Sequence, residues 1–167
     1  TEQQAYNRSL IEASADALFA IAPDGVITDV NAEAARLTGY TRKHLINSHF
    51  AEYFTEPDRA RSGVQQTFKD ARVLGYELIL ITRHARKITV SFNAGVFTDV
   101  AGKSLGILAA AREITEQKKL EQQLRDQQFY TRSLIESNID ALMTTDPQGI
   151  ITDVNQQMMV LTGRNRD

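Results

Sequence analysis

Residues 6–40 return at a constant offset of 124 as residues 130–164, and 19 of the 35 aligned positions are identical without a gap. The identities include Leu10/Leu134, Asp16/Asp140, Gly25/Gly149, Asn31/Asn155 and Gly39/Gly163. A self-match of this kind marks a repeated module with a period near 124 residues. The second copy reaches only to Asp167. The chain is therefore expected to hold one whole module, a connector and the opening third of the next, drawn from a longer array.

Between the copies the hydrophobic period changes several times. Tyr6, Leu10 and Ala13 stand at helical spacing among polar residues, which predicts an amphipathic helix over 2–15. Residues 17–22 and 26–30 read as two short strands joined by the turn Pro23-Asp24-Gly25. Asn31 is placed to cap a short helix over 32–38 that Gly39 closes, and a further helical turn is expected over 42–46. Thr55-Glu56-Pro57-Asp58 has the chemistry of a helix start, with Thr55 as cap and an early proline, and the helix is expected to run to about 71. Residues 76–82, 88–98 and 105–112 read as three strands. Two strands, short helices, one longer helix and three antiparallel strands predict an α+β domain. Its five-stranded sheet would carry helices on one face.

Composition bounds the partners. A hydrophobic content of 42%, a charged content of 24% and a formal charge of -2 fit a soluble globular protein with no general pull toward nucleic acid or membrane. No apolar run is long enough to span a bilayer, and a cytoplasmic location is expected. With no cysteine, disulfides, thiolate nucleophiles and cysteine metal sites are all excluded.

From 115 to about 137 the sequence turns to Glu, Gln, Lys and Arg with sparse leucine. A heptad phase puts Gln117, Leu120, Leu124, Gln127, Thr131 and Leu134 inside, and half of these are polar. Two readings stay open: an exposed connecting helix, or a seam kept marginal so that its register can shift.

The ordered set of elements resembles the PAS domain of signalling proteins. Pro23-Asp24-Gly25 before Val26-Ile27-Thr28-Asp29-Val30-Asn31 is similar to its opening hairpin, and Leu37-Thr38-Gly39-Tyr40 to the segment that follows. Phe54-Thr55-Glu56-Pro57-Asp58-Arg59 resembles the lead into the long helix. Arg112-Glu113-Ile114-Thr115-Glu116-Gln117-Lys118 is similar to the Asp-Ile-Thr exit motif, with Glu113 where aspartate is usual. The loop Arg83-His84-Ala85-Arg86-Lys87 departs from the family by offering no residue suited to positive φ. The resemblance implies an α+β, PAS-like five-stranded antiparallel sheet with short helices on one face, flanked by N-terminal and C-terminal signalling helices. It divides the chain into an N-terminal helix (1–15), a PAS domain (16–115), a connecting signalling helix (116–137) and a truncated second PAS domain (138–167).

Members of this family hold haem, flavin or small metabolites between sheet and helices, or fill that space with side chains. Strand phase points Leu78, Leu80 and Thr82 inward, with Ile88, Val90, Phe92 and Ala94 and with Ile107, Ala109 and Ala111. Phe50, Phe54, Val64, Phe68, Leu78, Leu80, Val90, Phe92, Ala109 and Ala111 are the candidate pocket residues. The resemblance puts Leu80, Val90 and Ala111 where flavin-binding relatives carry ring-reading amides, and the photoreactive cysteine near Phe50. Flavin is therefore not expected. His49 is the one plausible haem ligand, and a lone histidine at a helix–loop junction fits a surface or capping role better. A filled core is the simplest reading, while small Ala109 and Ala111 leave room for a small apolar ligand.

A second apolar face is expected from Ile79, Ile81, Phe97, Leu108 and Ala110, covered by the 2–15 helix of the same chain or of a partner. A homodimer with contacts at Tyr6, Leu10, Leu120, Leu124 and Leu134 follows, with neighbouring PAS and output domains of the same chain as further partners. The family implies relay through Glu113, Ile114 and Thr115 to an output domain of a two-component or related signalling protein. The alternative is a ligand-free dimerisation spacer. The acids Glu52, Glu56 and Asp58 read as capping and solvated groups, and the basic loop at 83–87 as a solvated hairpin tip. No motif for catalysis is present, so an enzymatic role is assigned outside these residues. Residues 141–154 lack the strands that would complete their sheet, so packing on a neighbouring module or partner chain is expected to order them.

Overall fold

The Pro23-Asp24-Gly25 turn joins β1 (Ala17–Ile21) to β2 (Ile27–Val30). Gly25 takes φ +84°, a conformation that only glycine adopts without cost, and its N–H donates to the Ala22 carbonyl at 2.9 Å. Asp24 locks the turn by accepting from the Val26 N–H. This computed structural model describes residues 2–167, in two compact units that meet between Thr115 and Glu116.

In the first unit β2 leads into α2 (Ala32–Thr38), α3 (Arg42–Leu45), a 3-10 turn (Phe50–Tyr53) and α4 (Pro57–Asp70). Three long strands follow: β3 (Arg72–Ile81), β4 (Lys87–Thr98) and β5 (Ser104–Glu113). All neighbours are antiparallel and the order is β2-β1-β5-β4-β3. β5 closes on β1, pairing Ala17 with Ala111 and Ile21 with Ile107, so the two ends of the module meet at the centre of the sheet. This is the expected five-stranded α+β architecture.

Local chemistry sets several boundaries apart from the sequence reading. Thr55 does not cap α4: its N–H donates to Ile79 O at 3.0 Å, and Glu56 stands at the cap position without a side-chain cap bond. β3 begins at Arg72 rather than at 76, because Gly75 (φ +64°) sits in a bulge between Val73 and Tyr76 and donates to Asn93 Oδ1. The β3–β4 loop turns on Ala85, at φ +60°. The Ala85 N–H donates to Thr82 O, and the Thr82 N–H donates to Arg86 O. Ala71 closes α4 at φ +63°. Both alanines occupy places where glycine is the unstrained choice.

The helix expected over 2–15 is α1 (Glu2–Glu12), and it does not cover the outer sheet face. Tyr6 and Leu10 are 61% and 56% exposed, while Ile79, Phe97 and Leu108 on that face stay 39–41% exposed. α1 is held instead by a polar frame. Asn31, fully buried, accepts from Leu18 N–H (2.9 Å) and Ala34 N–H (3.0 Å). Its amide nitrogen donates to Ile11 O (3.1 Å) and Asp16 O (3.0 Å). One side chain thus ties α1, β1 and α2 together. Around it Arg8 donates to Asp29, Glu12 and Val30 O, while Glu12 accepts from Ala32 N–H at 2.8 Å. Arg42 reaches Asp29 from α3 at 2.7 Å. Partial burial works to raise the Asp29 carboxyl, but hydrogen bonds from Arg42, the Val30 N–H and Arg8 outweigh it and hold Asp29 below its ordinary range.

The second unit repeats the frame. It comprises most of α5 (Thr115–Ser137), β6 (Met143–Thr145), β7 (Ile151–Val154) and α6 (Gln156–Thr162). Asn155, also fully buried, accepts from Leu142 and Met158 N–H and donates to Ile135 and Asp140 O. Arg132 donates to Asp153, Glu136 and Val154 O, and Glu136 accepts from Gln156 N–H at 2.8 Å. Within the second unit Met143, Ile150 and Ile151 are exposed, and the polar frame ties the hairpin to α5.

Two outcomes are expected in urea unfolding of the first unit. Asn31→Ala leaves four backbone groups, one buried and three partly buried, without their partner and lowers stability by about 2–4 kcal/mol, whereas Asn155→Ala leaves that transition in place. Ala85→Gly relieves the left-handed alanine and raises stability by roughly 0.5–1 kcal/mol, net of the added freedom of the unfolded chain.

Candidate functional site

The inner face of the sheet and the helices α2–α4 enclose one apolar core. Its centre is a ring cluster: Phe19, Phe50, Phe54 and Phe92 meet with centroids 4.8–6.4 Å apart, mostly edge to face or tilted. Each comes from a different element. Phe19 is an inward residue of β1, Phe92 of β4, Phe50 opens the 3-10 turn, and Phe54 bridges to Leu80 of β3.

Of the candidate pocket residues, Phe50, Phe54, Val64, Leu78, Leu80, Val90, Phe92, Ala109 and Ala111 are buried, and Phe68 is half-buried against the core. A cavity of about 20 Å³ lies beneath α4. Phe50, Val64, Leu78, Phe92 and Ala109 line it; Phe54, Phe68, Leu80, Val90 and Ala111 do not. Ala94 and Ile107 line it too, as strand phase indicated, while Ile21, Ala60, Gly63, Thr67, Val73 and Tyr76 complete the lining and escaped the sequence reading. The signal was present, since Ala60, Gly63, Val64 and Thr67 recur at helical spacing and Ala17, Phe19 and Ile21 alternate.

The space follows from small side chains. Gly63 faces the Tyr76 ring so closely that a Cβ there would stand 3.0 Å from it. Tyr76 is in turn fixed by its hydroxyl, which donates to Arg59 O at 2.8 Å. The Thr67 hydroxyl is spent on Gly63 O. A cavity of this size, with apolar walls, has room for about one water-sized molecule and gives a polar guest no partner. A flavin does not fit these residues: Leu80, Val90 and Ala111 are buried apolar side chains, and the polar edge of the ring would go unpaired.

Outside the cavity, across Phe50 and Val64, lies a groove of about 330 Å³ between the Pro23-Asp24-Gly25 turn, the 3-10 turn and α4. His49 is exposed there, not in the inner cavity, and its backbone bridges to Val26. Arg61 lines the groove while paired to Asp58 at 2.5 Å. Among the described residues no group of three or more histidine or carboxylate side chains could hold a metal ion. A neighbouring aromatic cluster joins Tyr40 to His44 (stacked, 4.6 Å) and to Tyr53 (5.3 Å). Burial pushes the Tyr53 phenol up, against the pull of its 2.7 Å bond with Ser48.

The exit from the sheet is tied at one residue. Ile114 N–H donates to Thr89 O at 2.8 Å, and the Thr89 N–H donates to Thr115 Oγ1 at 2.9 Å. Thr115, the first residue of α5, is thereby bonded into β4 through its side chain. Glu113 stands 3.8 Å from exposed Arg86, a weak surface pair, and Arg112 pairs with Asp16 at 3.1 Å. Leu120, Leu124 and Leu134 are exposed along α5. Arg83, His84, Arg86 and Lys87 form an exposed hairpin tip.

A family model described as the PAS fold matches residues 5–114, and a PAS domain model matches residues 130–167. The aerobic respiration control sensor protein ArcB of Escherichia coli is 27% identical over 126 residues, 74% of this chain and 16% of its own length. The chain thus spans about a sixth of the curated relatives it matches. The PAS domain of an HTR-like protein from Haloarcula marismortui superposes with a TM-score of 0.59 at 21% identity, over 68% of this chain and 93% of that one. A PAS domain from a two-component sensor histidine kinase gives a TM-score of 0.59 at 16% identity, over 67% and 96%. With a family model covering residues 5–114, well over half of its length, the chain belongs to the PAS family.

Proposed function

We propose that the first unit is the sensory and dimerisation module of a multidomain signal-transduction protein of the two-component kind, acting in the cytoplasm. A ligand or partner prefers one arrangement of sheet and helices and biases the connector α5 through Glu113, Ile114 and Thr115. The observation that carries this reading is the pair of hydrogen bonds at Thr89, whose carbonyl accepts from the Ile114 N–H and whose N–H donates to Thr115 Oγ1. It ties the first turn of α5 to an interior strand whose neighbours Val90 and Phe92 face the core. The likeness to the ArcB sensor protein supports it. Catalysis is assigned to an output domain outside these residues. Among the described residues no helix is long and apolar enough to cross a membrane.

The half-exposed outer face with Ile79, Phe97 and Leu108, together with Tyr6 and Leu10, supports the homodimer. A second reading, a ligand-free spacer that sets dimer geometry, is favoured by the small cavity of about 20 Å³. Native mass spectrometry separates the two, because only the sensor carries added small-molecule mass.

Thr115→Val keeps the shape of the side chain and removes the acceptor. In the full-length protein it is expected to shift signalling output several-fold, as is one residue inserted next to Leu120, while Thr115→Ser stays near wild type. Output unchanged in both altered variants would contradict the relay.

A further inference from the structure

Two stretches of the first unit, residues 36–44 and 83–87, hold six of the chain's 19 lysines and arginines and two of its three histidines. Neither stretch contains an acid. The fold brings them together. The Arg83 N–H donates to Thr38 O at 2.9 Å, which seats the β3–β4 tip on the C-terminal end of α2. Gly39, in the left-handed region at φ +77°, makes the contact close: a Cβ there would stand 3.3 Å from Arg83 Cβ and 3.8 Å from the His84 ring. On the other side of that turn His44 of α3 stacks on Tyr40 at 4.6 Å, with Lys43 just before it.

The tip is exposed but braced. Buried Thr82 donates its N–H to Arg86 O, its carbonyl accepts from the Ala85 N–H, and its hydroxyl accepts from the Arg86 N–H. Closing the turn this way holds Ala85 at φ +60°, and backbone strain of that kind gathers where a segment is held in place for a partner. The charges on this surface are only partly matched. Arg36 pairs with Glu33 and Arg42 with Asp29, each at 2.7 Å, while Arg86 stands 3.8 Å from Glu113. Among the described residues no carboxylate lies within ion-pair distance of Lys43, Arg83 or Lys87.

We propose that the β3–β4 tip and the α2–α3 turn form one docking surface for an acidic segment of a partner protein, with Lys43, Arg83 and Lys87 as its unmatched charges. Arg83 offers a carboxylate a fork of donors, and the two lysines supply mobile point charges around it. Three observations favour a short carboxylate-bearing segment over other anions. The remaining thirteen lysines and arginines face all 21 aspartates and glutamates, so a long polyanion or a bilayer extending past the patch meets a negative surface. None of the exposed large apolar side chains lies in either stretch, which leaves a membrane no anchor. Tyr40, the aromatic residue of the turn, is already stacked on His44 and set edge to face with Tyr53, so it offers no platform for a base. The surface goes beyond the relay reading and holds whether or not α5 carries a signal.

Fluorescence anisotropy of a fluorescein-labelled oligoglutamate peptide, titrated with the whole 167-residue chain, tests the proposal. The unmodified chain is expected to bind at low salt and to weaken as salt is raised. Arg83→Glu combined with Lys87→Glu is expected to weaken binding about tenfold, the effect of turning two attractive charges repulsive. Lys43→Glu, on the other element, is expected to weaken it about threefold. Lys69→Glu combined with Lys103→Glu alters the net charge as much as the first pair but outside the patch, and is expected to leave binding unchanged. All five side chains are exposed, so the urea transition of each variant stays in place. No binding at low salt, or an equal loss from both double variants, would overturn the surface. Tighter binding of the unmodified chain to phosphatidylserine vesicles or to a single-stranded oligonucleotide than to the peptide would do the same.

Discussion

The opening of the first unit is placed around one buried amide. Asn31 has four hydrogen-bonding positions in its side chain, and the fold uses them on three elements: the end of α1, β1 with the residue before it, and the first turn of α2. An apolar residue could fill the volume but would leave those backbone groups dry and unpaired, a larger cost than the bonds themselves return. A charged residue would have to be stripped of water. Asparagine alone offers two donors and two acceptors with no charge. The Arg8–Asp29–Glu12 cluster fixes the rim of the same joint.

The two copies share this frame and differ in what they put behind it. Arg8, Glu12, Asp16, Asp29, Asn31 and Gly39 recur as Arg132, Glu136, Asp140, Asp153, Asn155 and Gly163. Of the inward positions Ala17, Ile27 and Val30 recur as Ala141, Ile151 and Val154, while Phe19, Ile21 and Ala34 become Met143, Thr145 and Met158. The polar joint is thus kept with part of the apolar lining, and the remaining apolar positions are free to specialise. In the first copy they specialise toward close packing, with four phenylalanines interlocked and a cavity of about 20 Å³ left where Gly63, Ala60 and Ala109 meet.

Strand phase was legible because alternation is a property of neighbouring residues: Ile88, Val90 and Phe92 face inward as the pattern requires, and so do Ile107, Ala109 and Ala111. Asn31 was legible as a helix cap, for the same local reason. Its other three bonds were not, because they involve residues 13 to 20 positions away and no spacing rule connects them. Ala71 and Ala85 carried no signal, since alanine at positive φ looks like any alanine until the turn around it closes. Gly75 misled in the opposite direction: a glycine that reads as a boundary is a bulge within β3. The cavity was half legible. Its sheet side followed from strand phase, while its helix side depends on the approach of Gly63 to Tyr76, which is set by packing.

The exit from the sheet is the second fixed point of the first unit. Ile114 and Thr115 both bond to Thr89, so the first residue of α5 is held by β4. The buried amide remains the central constraint, and residue-resolved amide exchange is the most direct measurement of it. The Leu18 and Ala34 N–H groups donate to Asn31, so both are expected to exchange faster in the Asn31→Ala chain than in the unmodified one. Unchanged rates at both would contradict it.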